Sequence, residues 1–175
     1  MECFNKMDKT GKICLAGVMA ALVFVVTWLV RIPVPLPTLT GAYINIGDCV
    51  IIISSYMLGG VFGACVAGIG SALADILAGA SQYIIATLII KALMAFVFAL
   101  IARRGKFGMY VFAAVIAELI MVAGYGIYEY FMFGWAVAIA SFPYNMVQFA
   151  GNLVVSLPLY KAVKYLCKLP FLMKV

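Results

Sequence analysis

The side chains able to do chemistry in this chain lie inside apolar runs. Lys91 interrupts Thr87-Leu-Ile-Ile-Lys-Ala-Leu93, Asp75 follows Ser71-Ala-Leu-Ala74, and Glu118 follows Val115-Ile-Ala117. A charge at the centre of a membrane-spanning helix costs roughly 2.5–3.5 kcal/mol, so each of these marks a candidate site. Their polar neighbours recur at helical spacing. Ser71, Asp75 and Gly79 fall at four-residue steps, as do Tyr83, Thr87 and Lys91. Glu118, Tyr125 and Glu129 fall at offsets 0, 7 and 11, and Asn145, Gln148 and Asn152 at 0, 3 and 7. Such spacings put each set on one stripe of its helix. Carboxylates, amides and a lysine on facing stripes, with Tyr43, Asn45, Asp48, Trp135 and Tyr144 in the same half of the membrane, describe a small-molecule pocket with aromatic walls.

Other chemistries lack their residues. The chain has no histidine, and Cys3, Cys14, Cys49, Cys65 and Cys167 show no Cys-x-x-Cys spacing, so no metal site is expected. There is no Gly-x-Ser-x-Gly, no Walker sequence and no carboxylate pair suited to catalysis, so neither an enzyme nor an ATPase is expected. Gly68-Ile-Gly70 lies within an apolar helix among Gly63, Ala64, Ala67, Ser71 and Ala74, where small residues serve close helix packing.

The elements that must hold these residues follow from composition. The chain has 175 residues, of which 67% are hydrophobic and 10% charged. A soluble domain of this size cannot hide that much apolar surface. The composition predicts an all-α, polytopic membrane protein: one six-helix domain over 1–175, with helices at about 12–30, 43–58, 61–78, 83–102, 107–130 and 142–166. Pro33, Pro35 and Pro37 favour an extended loop after the first helix, and Phe131–Ser141 reads as an aromatic outer loop. The first apolar run, Ile13–Val30, is long enough to span and is expected to remain as a helix.

The net charge of +6 sits at membrane edges. Ten of the 12 Lys and Arg form three clusters: Lys6, Lys9 and Lys12; Arg103, Arg104 and Lys106; Lys161, Lys164, Lys168 and Lys174. Clusters flanking apolar runs orient the chain with both termini inside, and no basic face remains for nucleic acid. The polar stripes then fall in the outer half. Lys91 lies about 12 Å below the outer end of its helix, and Glu118 lies at a similar level. Asp75 and Glu118 are its two expected partners, with Asp75–Lys91 as a structural ion pair.

Taken together, Gly41-Ala-Tyr-Ile-Asn-Ile-Gly-Asp48, Gly70-Ser-Ala-Leu-Ala-Asp75 and Thr87-Leu-Ile-Ile-Lys91-Ala-Leu resemble the substrate-binding S components of energy-coupling factor (ECF) vitamin transporters. The pattern is most similar to the hydroxymethylpyrimidine/pyridoxine branch. The resemblance implies a multi-pass protein of a prokaryotic cell membrane with no catalytic activity and no cofactor besides the vitamin it carries. It implies partners, a transmembrane T component and two ATPase subunits, and docking on the T component through Ala16-Gly-Val-Met-Ala20, with Gly17 and Ala21 extending the flat face. Pyridoxine, hydroxymethylpyrimidine and thiamine all suit aromatic walls with amides and carboxylates; a phosphorylated ligand is disfavoured because the outer face offers only Arg31 and Lys91 as cations. The competing expectation is an autonomous secondary permease for a small heterocycle, although no internal repeat is visible.

Overall fold

The computed structural model describes residues 9–36, 42–103 and 105–166. Of the features read from the sequence, Lys6, Arg104, Lys168, Lys174, Cys3, Cys167, Pro37 and Gly41 lie outside the described residues.

The order of elements is α1 (Lys9–Leu29), β1 (Arg31–Pro33), β2 (Tyr43–Asn45), α2 (Gly47–Leu58), α3 (Gly60–Ala78), a 3-10 turn (Ser81–Tyr83), α4 (Ile84–Ala102), α5 (Phe107–Phe133) and α6 (Trp135–Leu166). The protein is therefore an all-α, polytopic membrane protein. By length and composition α1, α3, α4 with its leading turn, and α5 can each cross a bilayer. The two remaining helices differ from simple spans. At 12 residues, α2 is about 18 Å long, short of the ~30 Å hydrocarbon core. It is buried along its whole length except at Ile53, packed by α1, α3, α4 and α6. By contrast, α6 is 32 residues long and holds Pro143 and Pro158 within it.

Two expected boundaries need correction. Tyr43–Asn45 does not open the second helix; it pairs antiparallel with Arg31–Pro33, with Arg31 opposite Asn45 and Pro33 opposite Tyr43. A three-residue strand is too short for alternation to announce it. Nor is Phe131–Ser141 a loop: α5 runs to Phe133, and α6 begins at Trp135. The break falls on Gly134 alone, whose φ of 90° an L side chain rarely adopts. The segment's aromatic content reflects helix surface at the membrane boundary.

The bundle packs α1 on α3, α3 on α4, α4 on α5 and α5 on α6. Small residues set these distances. A Cβ on Gly70 would stand 2.8 Å from the Ala20 carbonyl oxygen of α1, one on Gly68 would stand 2.8 Å from that of Leu88 on α4, and one on Gly63 would stand 2.9 Å from Ser55 Cα of α2. Thus α3 is the common neighbour on which three helices close, the role its run of small residues suggests. Toward bulk lipid the surface is apolar, with Phe131, Ile85 and Val61 among the most exposed side chains.

The two ends of the bundle differ. At the end carrying Lys9, Lys12, Arg103, Lys106, Lys161 and Lys164, aromatic rings fill the interior. Tyr56, Phe98 and Tyr160 surround Tyr110, the Tyr110–Tyr160 centroids being 4.7 Å apart. Their hydroxyls tie the elements: Tyr110 donates to the Ser156 carbonyl at 3.0 Å and Tyr160 to that of Gly105 at 2.9 Å. At the other end, the hairpin β1–β2 lies over a polar interior.

Candidate functional site

A cavity of about 550 Å³, counting its open mouth, lies under the hairpin. Every long element contributes to it except the innermost turns: Thr27 of α1, Tyr43 to Asn45 of the hairpin, Ser71 and Asp75 of α3, Tyr83, Thr87 and Lys91 before and on α4, Tyr125 and Glu129 of α5, and Ser141, Tyr144, Asn145 and Gln148 of α6. The four-residue steps seen in the sequence thus converge on one space. Tyr83 anchors its aromatic side, with ring centroids 6.2 Å from Tyr125 and 5.4 Å from Tyr128.

Lys91 lies at the base of this space and is 2% exposed. Its partner is Asp48: Nζ lies 2.5 Å from Asp48 Oδ1. This corrects the expected ion pair with Asp75 and the alternative with Glu118. The reason is the start of α2. Because the helix opens at Gly47 rather than Tyr43, Asp48 is in its first turn rather than its second, and it is buried. Asp48 Oδ2 accepts from Gln148 Nε2 at 2.7 Å, and the Lys91 ammonium lies 5.4 Å from the Tyr125 ring centroid.

The amides of α6 divide into two roles. Asn152 Nδ2 donates to the Asn45 carbonyl at 2.8 Å, and its Oδ1 accepts from the Cys49 N–H at 3.1 Å. Gln148 Oε1 accepts from the Asn45 N–H at 3.1 Å. These side chains thereby satisfy backbone groups at the buried start of α2, where a helix leaves its first N–H groups without intrahelical partners. Asn152 does not line the cavity, so its expected place in the ligand site is corrected to a structural one. Asn145 does line it, and its Nδ2 completes no hydrogen bond although it lies against Glu129. Glu129 accepts from Tyr83 Oη at 3.3 Å and from Ser141 Oγ.

Asp75 takes part differently from the expectation. Tyr43 Oη donates to Asp75 Oδ1 at 2.6 Å, closing the hairpin onto α3. Burial, with the Asp75 charge adding to it, pushes the Tyr43 hydroxyl up, so it remains a donor. Two further expected site residues are moved out of the cavity. Glu118 is fully buried with both carboxyl oxygens unpartnered and lies among the helices outside the lining. Trp135 is 67% exposed and lies on a lateral apolar groove with Phe131 and Phe142. Conversely, Thr27 and Ser141 enter the lining without having been singled out in the sequence; Thr27 sits in an apolar run with no polar stripe to reveal it.

On α1, Ala16 and Ala20 lean inward on the core formed by Val23, Val50 and Val66, whereas Gly17 and Ala21 are exposed. Gly17 has no atom within 4 Å of a notional Cβ, and Cys14 is exposed beside it. The open small face of α1 is therefore centred on Cys14, Gly17 and Ala21.

A membrane-embedded bundle with one closed end and a polar, tyrosine-walled cavity at the other is a binding protein in form. The model of the ECF-type riboflavin transporter S component matches residues 7–165, and the chain belongs to that family. It is also 31% identical over 134 residues, 76% of this chain and 88% of the relative, to a Pyrococcus woesei protein described as "Uncharacterized protein in gap 3'region". The family is one of transporter components rather than enzymes, as the sequence suggested. The narrower hydroxymethylpyrimidine/pyridoxine branch is not the one this family's description names.

Proposed function

We propose that this chain is the substrate-binding subunit of an ECF-type transporter in a prokaryotic cell membrane, and that it takes a flat, uncharged heterocyclic vitamin, riboflavin foremost. One observation carries the reading: the cavity pairs tyrosine walls with buried polar atoms that have no partner, among them Asp75 Oδ2 and Asn145 Nδ2. In ligand sites a few convergent polar groups fix the orientation of the bound molecule. Riboflavin stands first because the family to which the chain belongs is that of the ECF-type riboflavin transporter S components. With Lys91 engaged by Asp48, the uncompensated charge of the lining is acidic (Asp75 and Glu129), which disfavours a phosphate ester.

Basic residues at the opposite end put that end in the cytoplasm and the cavity at the outer surface. Uptake then draws on ATP hydrolysis in two partner subunits, through a T component meeting the exposed face of α1 at Cys14, Gly17 and Ala21. The test is calorimetric titration of the purified protein with riboflavin, pyridoxine, hydroxymethylpyrimidine and thiamine, followed by uptake in liposomes. Riboflavin is expected to bind most tightly, and accumulation to require the partner subunits. Accumulation by the protein alone would favour the autonomous permease; selective binding of pyridoxine would move the ligand to the smaller class.

A further inference from the structure

The hydrogen-bonding capacity left unused in the cavity is unevenly distributed. On the α5 and α6 side, Glu129, Ser141, Tyr125 and Gln148 are engaged with protein partners, and Asn145 Nδ2, which lies against Glu129, is the one buried side-chain atom of the lining left over among the described residues. On the α1 and α3 side, Thr27 Oγ1, Ser71 Oγ and Asp75 Oδ2 complete no hydrogen bond, although Thr87 lies against the Asp75 carboxylate. These three residues are only 3%, 1% and 4% exposed, so bulk water does not serve them.

The two hydroxyls are exceptional within this molecule. A buried helical serine ordinarily donates back to the carbonyl of the preceding turn. Ser54, Ser55, Ser141 and Ser156 all do so, at 2.7–3.1 Å. Thr27 and Ser71 do not, and both line the cavity. A buried hydroxyl or carboxylate oxygen without a partner is costly, and a ligand that bonds it recovers that cost. Ser71 and Asp75 are one turn apart on α3, a rise of about 6 Å, so the unpartnered atoms line up along the helix rather than meeting at a point. Such a row matches successive hydroxyls on a flexible chain, each able to donate to one atom and accept from the next. The opposite side offers rings, with Tyr83 against Tyr125.

We infer that Thr27, Ser71 and Asp75 form a polyol subsite, holding the hydroxyl-bearing chain of the ligand along α3 while its ring system rests toward Tyr83 and Tyr125. The inference rests on the flavin reading above and adds to it the orientation of the ligand and the residues that tell a polyhydroxylated chain from a bare ring.

The test compares riboflavin with lumiflavin, the same ring carrying a methyl group in place of the polyol. Both are titrated into the full-length protein and into its Thr27→Val, Ser71→Ala and Ser54→Ala variants, with thermal melts to establish folding. Riboflavin is expected to bind at least about a hundredfold more tightly than lumiflavin, two or more hydrogen bonds' worth. Thr27→Val and Ser71→Ala should each weaken riboflavin by about tenfold and leave lumiflavin unchanged. Ser54→Ala, whose hydroxyl bonds the Ile51 carbonyl outside the cavity, should change neither. Equal affinity for the two flavins, or variants that weaken both alike or neither, would overturn the subsite while leaving the flavin reading intact. Failure of the wild-type protein to bind either flavin would overturn the flavin reading and this assignment together.

Discussion

Replacing Lys91 and Asp48 separately and together measures the ion pair at the base of the cavity. Both groups are almost wholly buried, and the ammonium meets the carboxylate at 2.5 Å. With the charges about 3 Å apart and an effective dielectric near 20, the gross attraction is about 5–6 kcal/mol, most of which offsets the loss of hydration. Lys91→Met leaves Asp48 buried with only Gln148 as donor, and should cost about 3–5 kcal/mol. Asp48→Asn leaves Lys91 with an amide oxygen and the Tyr125 face, and should cost a similar amount. The double variant removes both charges and should be no less stable than either single one, a coupling of about 3 kcal/mol or more. Unfolding of the detergent-purified protein by denaturant, followed by tryptophan fluorescence, supplies the three differences. Additive costs, with the double variant near 6–10 kcal/mol below the wild type, would refute the pairing. A parallel cycle of Lys91→Met with Asp75→Asn should show much smaller coupling, since Asp75 bonds Tyr43 instead.

Asn152→Ala should lower stability by about 1–3 kcal/mol, because it strands the Cys49 N–H and Asn45 carbonyl, while Asn145→Ala should lower ligand affinity with little change in melting. Calorimetry and thermal melts on the same pair of proteins separate the two roles. Gly70→Val should destabilise by about 1–3 kcal/mol or more, since its side chain meets the Ala20 carbonyl, whereas Gly17→Trp should fold normally yet abolish uptake in the assembled complex. Trp135→Ala should leave affinity within about twofold, because the ring faces the lateral groove; a tenfold loss would return it to the site.

The helices were legible because apolar run length is a strong signal, and the stripes because i, i+4 spacing survives any error in helix ends. Errors arose where a boundary decided a contact. Taking Tyr43 as helical put Asp48 a turn too deep in the second helix, and nothing in the sequence pointed to its pairing with Lys91, 43 residues away. Reading Phe131–Ser141 as a loop aimed Trp135 at the cavity, when one glycine turns α5 into α6 and leaves that ring facing outward. Pro143 and Pro158 lie inside α6, as in the expected span 142–166, since neighbouring helices in a membrane bundle can support the freed backbone groups. Thr27 could not have been found, because a single threonine in an apolar run looks the same whether it back-bonds or waits for a ligand. The division of the α6 amides likewise depends on which backbone groups α2 presents, a matter of tertiary placement.

The tyrosine plug at the basic end has a consequence for traffic. Tyr110 and Tyr160 are each tied by a hydroxyl to the backbone across the bundle, and Tyr56 and Phe98 pack against Tyr110, so this floor is stitched and not merely crowded. Opening it would mean breaking one buried and one partly buried hydrogen bond and parting four rings at once. Among the described residues the cavity is thus shut off from the basic end, and it lies under the hairpin at the other. On the function proposed above, a passenger held there leaves by the end it entered, and delivery to the other side of the membrane falls to the partner subunits.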